Sequence, residues 1–537
     1  MRSLLLLTAA LAFSVSTSAH QINNKATLAP PSEVLDIYDI AVEPSAERIK
    51  NDIQTLVDFG TRHTLSETKS DTRGIGAARR WIFEEFEKIS KDCGGCLEVM
   101  YVSDTIEGKR RIPEPTEVVS VLAIQRGKLD PNRFVMMSGD IDSRVTDPLN
   151  GTDDSPGAND NASGMAGTIE AARILTKREF AGSIIYAGLS GEEQGLFGGE
   201  IVAAHALEKG WEIKGVLNND MISNIAGIDG VINNSVVRVF SEGTRANETP
   251  EEARRRRFTG GEVDSPSRNL ARYVKSQGDQ YMTNLDINMV YRLDRFGRGG
   301  HHRPFNVVGI PGIRIMESHE HYDRQHQDLR TETQLVWELK EKHRSIQPNA
   351  GELDKIGKYI QVERIEPNGT VVWTRIGRKK ITELTHPEHS TISTNQGDFK
   401  AHEIYTIRER KVSFGDTMDG VDADYAAKLT GLNAITLAGM AGAPPFPMNV
   451  EASGAVQPSA MLKWERPKGK AARILAGYRV HWRETTAPEW THSRYVGDVT
   501  EWEFKNLVID NYFFGVSAVS KDGFETPVVF PGAAGRF

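Results

Sequence analysis

Acidic residues in this chain gather where short apolar runs end. SGDIDSR (138–144) closes the run RFVMM, SGEEQG (190–195) closes GSIIYAGL, Asp220 follows KGVLNN, and Glu317 follows GIRIM. A further acid, Asp160, sits in SPGANDNASG (155–164). Carboxylates delivered to one place repel one another and raise each other's pKa unless a cation is present. A pair of divalent metal ions is the simplest cation to make such a cluster tolerable. The chemistry to expect is then hydrolysis by a metal-activated water, which needs a bridging carboxylate, terminal ligands for each ion and a free base. The neighbours Glu192 and Glu193 suit two of these needs, because one can coordinate while the other accepts a proton.

Placing these acids together requires a particular scaffold. The segments 117–124, 133–139, 182–189, 214–219, 288–293 and 312–316 read as strands, several of them continuous apolar runs buried on both faces. Helical periodicity alternates with them at 163–177 and 199–210, and precedes them at 45–60 (Ile49, Ile53, Leu56) and 74–90 (Ala78, Ile82, Phe86, Ile89). Strand–helix alternation predicts an α/β domain with a mostly parallel, mixed sheet flanked by helices. In such sheets ligands collect beyond the carboxyl ends of the strands, and four of these strand ends are acidic.

The rest of the chain bounds the reading. Its 537 residues exceed one ordinary core, so more than one domain is expected. Residues 1–19 combine Arg2, an apolar stretch from Leu4 to Val15 and Thr17-Ser18-Ala19, the pattern of a secretory signal peptide. No later run is long enough to span a membrane, so a soluble, exported protein, periplasmic or secreted, is expected. A net charge of −8 gives no footprint for nucleic acid, and the RRRR run at 254–257 reads as a solvated loop or helix end. Cys93 and Cys96, the only cysteines, are expected to form a local disulfide rather than a working redox pair. Residues 331–410 break the pattern and read as a β-rich insertion, after which 421–441 returns to a helix that closes the main domain (20–441). GAPPFP (442–447) marks a linker. Beyond it, 448–537 carries regularly spaced strands in which Leu462 with Trp464, Tyr478 with Val480 and Trp482, and Tyr512 with Phe514, Val516 and Ala518 alternate, as in an all-β sandwich.

PGANDNASG, GEEQGLFG, NNDMIS and GIPGIRIMES…QHQD together resemble metallopeptidase family 28, the co-catalytic zinc aminopeptidases and carboxypeptidases. The resemblance covers about residues 45–330 and resumes at 413–425, while 445–537 resembles a fibronectin type III module. By this resemblance Asp160 is the bridging carboxylate, Glu192 the general base, Glu193 a ligand of one ion and Asp220 a ligand of the other. His326 is the final ligand, ahead of His319 and His321, and the His301-His302 pair lies near the metals, His302 in a hydrogen-bonding role. Two divalent ions, zinc first, and a peptide or protein substrate are implied. The family pattern His-x-Asp is replaced here by Asp140-Ile141-Asp142. Asp140 then coordinates directly, or through water, or leaves that position weak, and Asp142 loses the histidine it would orient. Oxygen in place of imidazole shifts preference towards manganese or cobalt. The function implied is an exported exopeptidase, most readily an aminopeptidase. A glutaminyl cyclase-like enzyme and a catalytically silent binding protein, in touch with a surface or polymer through its C-terminal module, are the alternatives.

Overall fold

The computed structural model describes residues 28–339, the strands 359–365, 371–377, 391–394, 397–400 and 405–410, then 411–532 and 537. Residues 1–19, expected to be a signal peptide, lie outside the described residues, as do the parts of the 331–410 insertion between its strands.

Eight strands form the central sheet: β1 (Leu97–Ile106), β2 (Thr116–Gln125), β3 (Asp130–Asp140), β4 (Gly182–Leu189), β5 (Glu212–Asn219), β6 (Val236–Phe240), β7 (Asp286–Val290) and β8 (Gly312–Glu317). Their order is β1-β2-β4-β3-β5-β8-β6-β7. The four central strands β4, β3, β5 and β8 run parallel, so their carboxyl ends share one edge. Antiparallel pairings lie at the flanks, β1 with β2, β2 with β4, and β6 with β8. The sheet is thus mixed, with its parallel part where the acids are.

Helices cover both faces. α1 (Leu35–Val42), α2 (Ala46–Asp58), α3 (Gly74–Asp92), α4 (Gly164–Leu175) and, later in the chain, α8 (Pro266–Tyr281) and α10 (Ala423–Gly442) pack on one face around Met137, Ile184 and Leu217. α6 (Phe197–Glu208) and α9 (His302–Val307) cover the other around Phe134, Met136 and Ile185, while α5 (Glu192–Gly195) is a single turn after β4. Local chemistry starts these helices where the sequence asks. Ser45, Ser265 and Asp422 each accept a backbone N–H of the first turn, and Pro266 opens α8. The arginine run lies on the exposed α7 (Pro250–Thr259), opened by a Thr249–Glu252 capping box. α4 crosses β3 so closely that a Cβ on Gly139 would lie 2.3 Å from the backbone of Gly164, which only glycine allows.

Three antiparallel hairpins follow β8: β9 (Arg330–Leu339) with β14 (Tyr405–Phe414), β10 (Tyr359–Ile365) with β11 (Val371–Gly377), and β12 (Thr391–Thr394) with β13 (Gly397–Lys400). Past α10, two three-stranded sheets form, β15 (Met448–Ser453) with β16 (Ala460–Glu465) and β19 (Glu501–Phe504), and β18 (His492–Gly497) with β17 (Leu475–Glu484) and β20 (Tyr512–Ser520).

This C-terminal unit is docked rather than tethered. In β17 the inward Tyr478 and Val480 are buried, but so are His481 and Arg483 on the opposite face. Arg483 Nη2 reaches Asp264 Oδ1 at 2.6 Å, and the same oxygen takes Arg272 Nη1 at 2.8 Å. Trp490 Nε1 donates to Asn269 at 3.2 Å. In the expected linker, Arg133 donates to the carbonyls of Met440 and Ala443, and Phe446 stacks on Phe537.

Inside the same unit, Glu525 accepts from Arg479 Nε at 3.0 Å and from Ser517 Oγ at 2.5 Å, with His481 Nε2 at 3.2 Å. Burial works against its ionisation, but these partners outweigh it and hold the carboxyl at about 2, against an ordinary 4.5. A depressed carboxylate stabilises fully above its unfolded pKa and loses that contribution as pH falls towards the folded one. Between pH 4.5 and 2 the wild type is therefore expected to lose more stability than Glu525→Gln, read as the fall in urea midpoint.

Candidate metal centre

Three of the sequence-predicted ligands converge. Asp160, from the turn before α4, Glu193, from α5, and His326, from the loop after β8, each offer an atom within 4.8 Å of the others'. His326 Nε2 lies 2.9 Å from Asp160 Oδ2 and 2.7 Å from Glu193 Oε1. Two carboxylates and an imidazole are the oxygen and nitrogen donors zinc takes. Burial opposes a charged imidazole, but the facing Glu193 and Asp160 push His326 up to about 9. Burial likewise opposes ionisation of Asp160 and Glu193, and His326 outweighs it to hold both below the usual carboxylate range. The donor set fits a divalent ion.

The surrounding chain fixes this triad in ways the sequence showed only partly. Asp416, brought in by the chain after β14, accepts the backbone N–H groups of Asn159 (2.8 Å) and Asp160 (2.6 Å). Arg62, wholly buried, donates to the carbonyls of Ile141, Leu56, Pro156 and Gly157 and so pins the loop that leads to Asp160. Arg144 donates to Glu193 Oε2 at 2.7 Å, and its Nη2 lies 2.7 Å from His326 Nδ1. Of these only Asp416 had a signal, its place in SFGDT (413–417), where the family resemblance resumes. Arg62 and Arg144 carried none that separates them from other arginines.

Asp142 serves the site through the backbone. Its oxygens accept the N–H of Glu192 at 3.2 Å and of Glu193 at 3.1 Å, with Thr64 Oγ1 at 3.1 Å. It therefore orients the Glu192–Glu193 turn, where the sequence left it a supporting residue without the histidine it would orient. Glu192 stands beside the triad. Burial, with Glu193, Asp220 and Asp140 adding, pushes its carboxyl well above the ordinary range, as suits a proton acceptor.

The other expected contributors make contacts of their own. Asp140 shares a 2.5 Å hydrogen bond with His301 Nδ1 and accepts Asn161 Nδ2 at 2.7 Å. Burial raises Asp140 to about 8 and lowers His301 to about 4. His302, expected in a hydrogen-bonding role, bonds Leu293 O through Nε2 at 2.9 Å. The two histidines are adjacent at the start of α9 and point to opposite sides, which the sequence alone does not show. Asp220 faces Arg314, with Nη2 2.9 Å from Oδ1. Glu317 turns away from the triad and accepts Asn159 Nδ2 and the Asn224 N–H, both at 2.9 Å. His319 bonds Ser318 Oγ at 3.0 Å. Cys93 and Cys96 are joined as a disulfide at the end of α3.

Comparison with known proteins gives the family. Residues 120–347 match Peptidase family M28. A probable zinc metalloprotease of Pyricularia oryzae is 35% identical over 500 residues, covering 92% of this chain and 84% of that protein. Another from Leptosphaeria maculans is 35% identical over 505 residues, covering 94% and 98%. Among solved structures, the LapA aminopeptidase of Legionella pneumophila is 19% identical, with a TM-score of 0.41, covering 57% of this chain and 68% of that one. The family assignment rests on the sequence relatives: this chain belongs to peptidase family M28, a family of metallopeptidases.

Proposed function

We propose that the protein is an exported, metal-dependent exopeptidase, an aminopeptidase by its resemblance, with Asp160, Glu193 and His326 holding a divalent ion and Glu192 acting as general base. The observation that carries this reading is the convergence of the three donor side chains within 4.8 Å beside Glu192. The mixed donor set favours zinc, as do the sequence relatives, which are named as probable zinc metalloproteases. Such an ion, when bound, polarises the scissile carbonyl and lowers the pKa of the attacking water.

The chain's own residues do the rest. Glu192, freed from coordination by its neighbour, accepts the water's proton and returns it to the leaving amine. Asp142 fixes the turn that presents Glu192 and Glu193 in different directions. Asp416 and Arg62 hold the Asp160 loop, so the carboxylate needs little rearrangement to bind. The apolar stretch after Arg2 and the Cys93–Cys96 disulfide support export to an oxidising compartment. The paired C-terminal sheets support the module reading, and their docking on α8 makes a surface or polymer contact there one that moves with the catalytic unit.

The test is the product formed. Incubated with amino-acid amides, short unblocked peptides and a peptide beginning with glutamine, the protein is expected to release free amino acids. Conversion of the glutamine peptide to its pyroglutamyl form without release would assign it to cyclisation instead, and no turnover of any substrate would favour a silent binding protein.

A further inference from the structure

Arg314 occupies the ground a second metal ion would need. It lies on β8, fully buried, at the strand-end edge that carries the acids. Its Nε donates to Asp220 O at 2.6 Å, its Nη2 lies 2.9 Å from Asp220 Oδ1, and its Nη1 reaches Gly299 O at 2.6 Å and both oxygens of Asp294 at 3.2–3.3 Å. A guanidinium so anchored is a permanent charge of the site, because arginine stays protonated and its Nε and Nη1 are held by fixed partners. Asp140, the other terminal acid of a second ion, has one oxygen on His301 and the other on Asn161. Among the described residues, only Asp160, Glu193 and His326 form a group of three donors able to hold an ion.

The donors around Asp140 and Asp220 therefore do not fit a second ion, whereas those around His326 fit a first. We propose that this centre holds one divalent ion and that Arg314 supplies, as a fixed single positive charge, the compensation that a second ion would otherwise give Asp220 and Asp160. The exchange is chemically consistent. Replacing the usual imidazole by Asp140 adds a carboxylate, and the chain answers with His301 beside Asp140 and Arg314 beside Asp220. A divalent ion pressed against the same acids would meet the guanidinium as a like charge in a buried, weakly screened site. The proposal deepens the metallopeptidase reading and rests on the triad binding metal.

Metal content decides it. The full-length protein, equilibrated with excess zinc and freed of unbound metal by gel filtration, is expected to carry one ion per chain. Asp220→Asn is expected to retain that ion, and His326→Ala to lose it. Loaded with manganese, the protein should show the hyperfine spectrum of isolated Mn²⁺. Two ions in the wild type with one lost in Asp220→Asn, or the spectrum of an exchange-coupled manganese pair, would overturn the single-ion proposal and leave the metallopeptidase reading standing. A wild type that binds no ion would overturn both. Should Asp220→Asn fail to fold, the wild-type stoichiometry and the manganese spectrum are sufficient to decide between one ion and two.

Discussion

Glu192→Gln is expected to lower kcat by about 10²- to 10⁴-fold, the range that a positioned general base contributes. The substitution keeps the side chain's size and its place beside the triad but removes the proton acceptor. Metal content should not change, since Asp160, Glu193 and His326 are intact. Because Glu192 acts in the transition state, the loss should fall on kcat and kcat/KM alike, with KM little altered. The carboxyl is pushed up by burial and by Glu193, Asp220 and Asp140, so replacing it with a neutral amide also relieves repulsion. The variant should accordingly be at least as stable as the wild type. A Gln variant with full turnover would remove Glu192 from the mechanism, and one that lost its metal would make it a ligand.

Asp264→Ala carries the largest expected cost to stability, about 3–5 kcal/mol, the penalty for breaking a buried ion pair and leaving its partners unpaired. Asp264 is fully buried and meets two guanidiniums, Arg272 from its own unit and Arg483 from the C-terminal one. Removing it leaves two like charges facing each other in a dry interface. Urea unfolding should then separate into two transitions, the C-terminal unit detaching first, where the wild type unfolds with the two units coupled. Arg483→Met, which removes a single charge and keeps an apolar stem, should cost less than Asp264→Ala. Equal costs would mean that Asp264 acts through Arg483 alone.

What the sequence announces and what only the folded chain shows divide along a physical line. The parallel centre of the sheet was legible because β3, β4, β5 and β8 are apolar runs long enough to be buried on both faces, and their ends give the strand-end acids directly. β1 and β6 were not. β1 is an edge strand whose burial alternates with exposed residues, and β6 is a five-residue VVRVF run. α1 was not read as a helix because its buried Ile37 and Ile40 sit beside Asp36 and Asp39. Within the site, residue types and motifs found the triad and Glu192. They did not find Arg314, which looks like an interruption in the apolar GIRIM run until Asp220 and Asp294 are seen beside it. Nor could they choose between His301 and His302, whose difference is one of rotation about a helix start. The Asp264–Arg483 pair spans 219 residues of sequence, and no local pattern announces it.

The most direct test of the metallopeptidase reading is turnover of an unblocked peptide by metal-stripped protein, before and after zinc is returned, with the amino-terminally acetylated peptide alongside. Activity on the unblocked peptide should vanish on stripping and return with zinc in the wild type but not in His326→Ala, and the acetylated peptide should stay intact throughout. Undiminished hydrolysis by the stripped protein, or equal activity in His326→Ala, would contradict it.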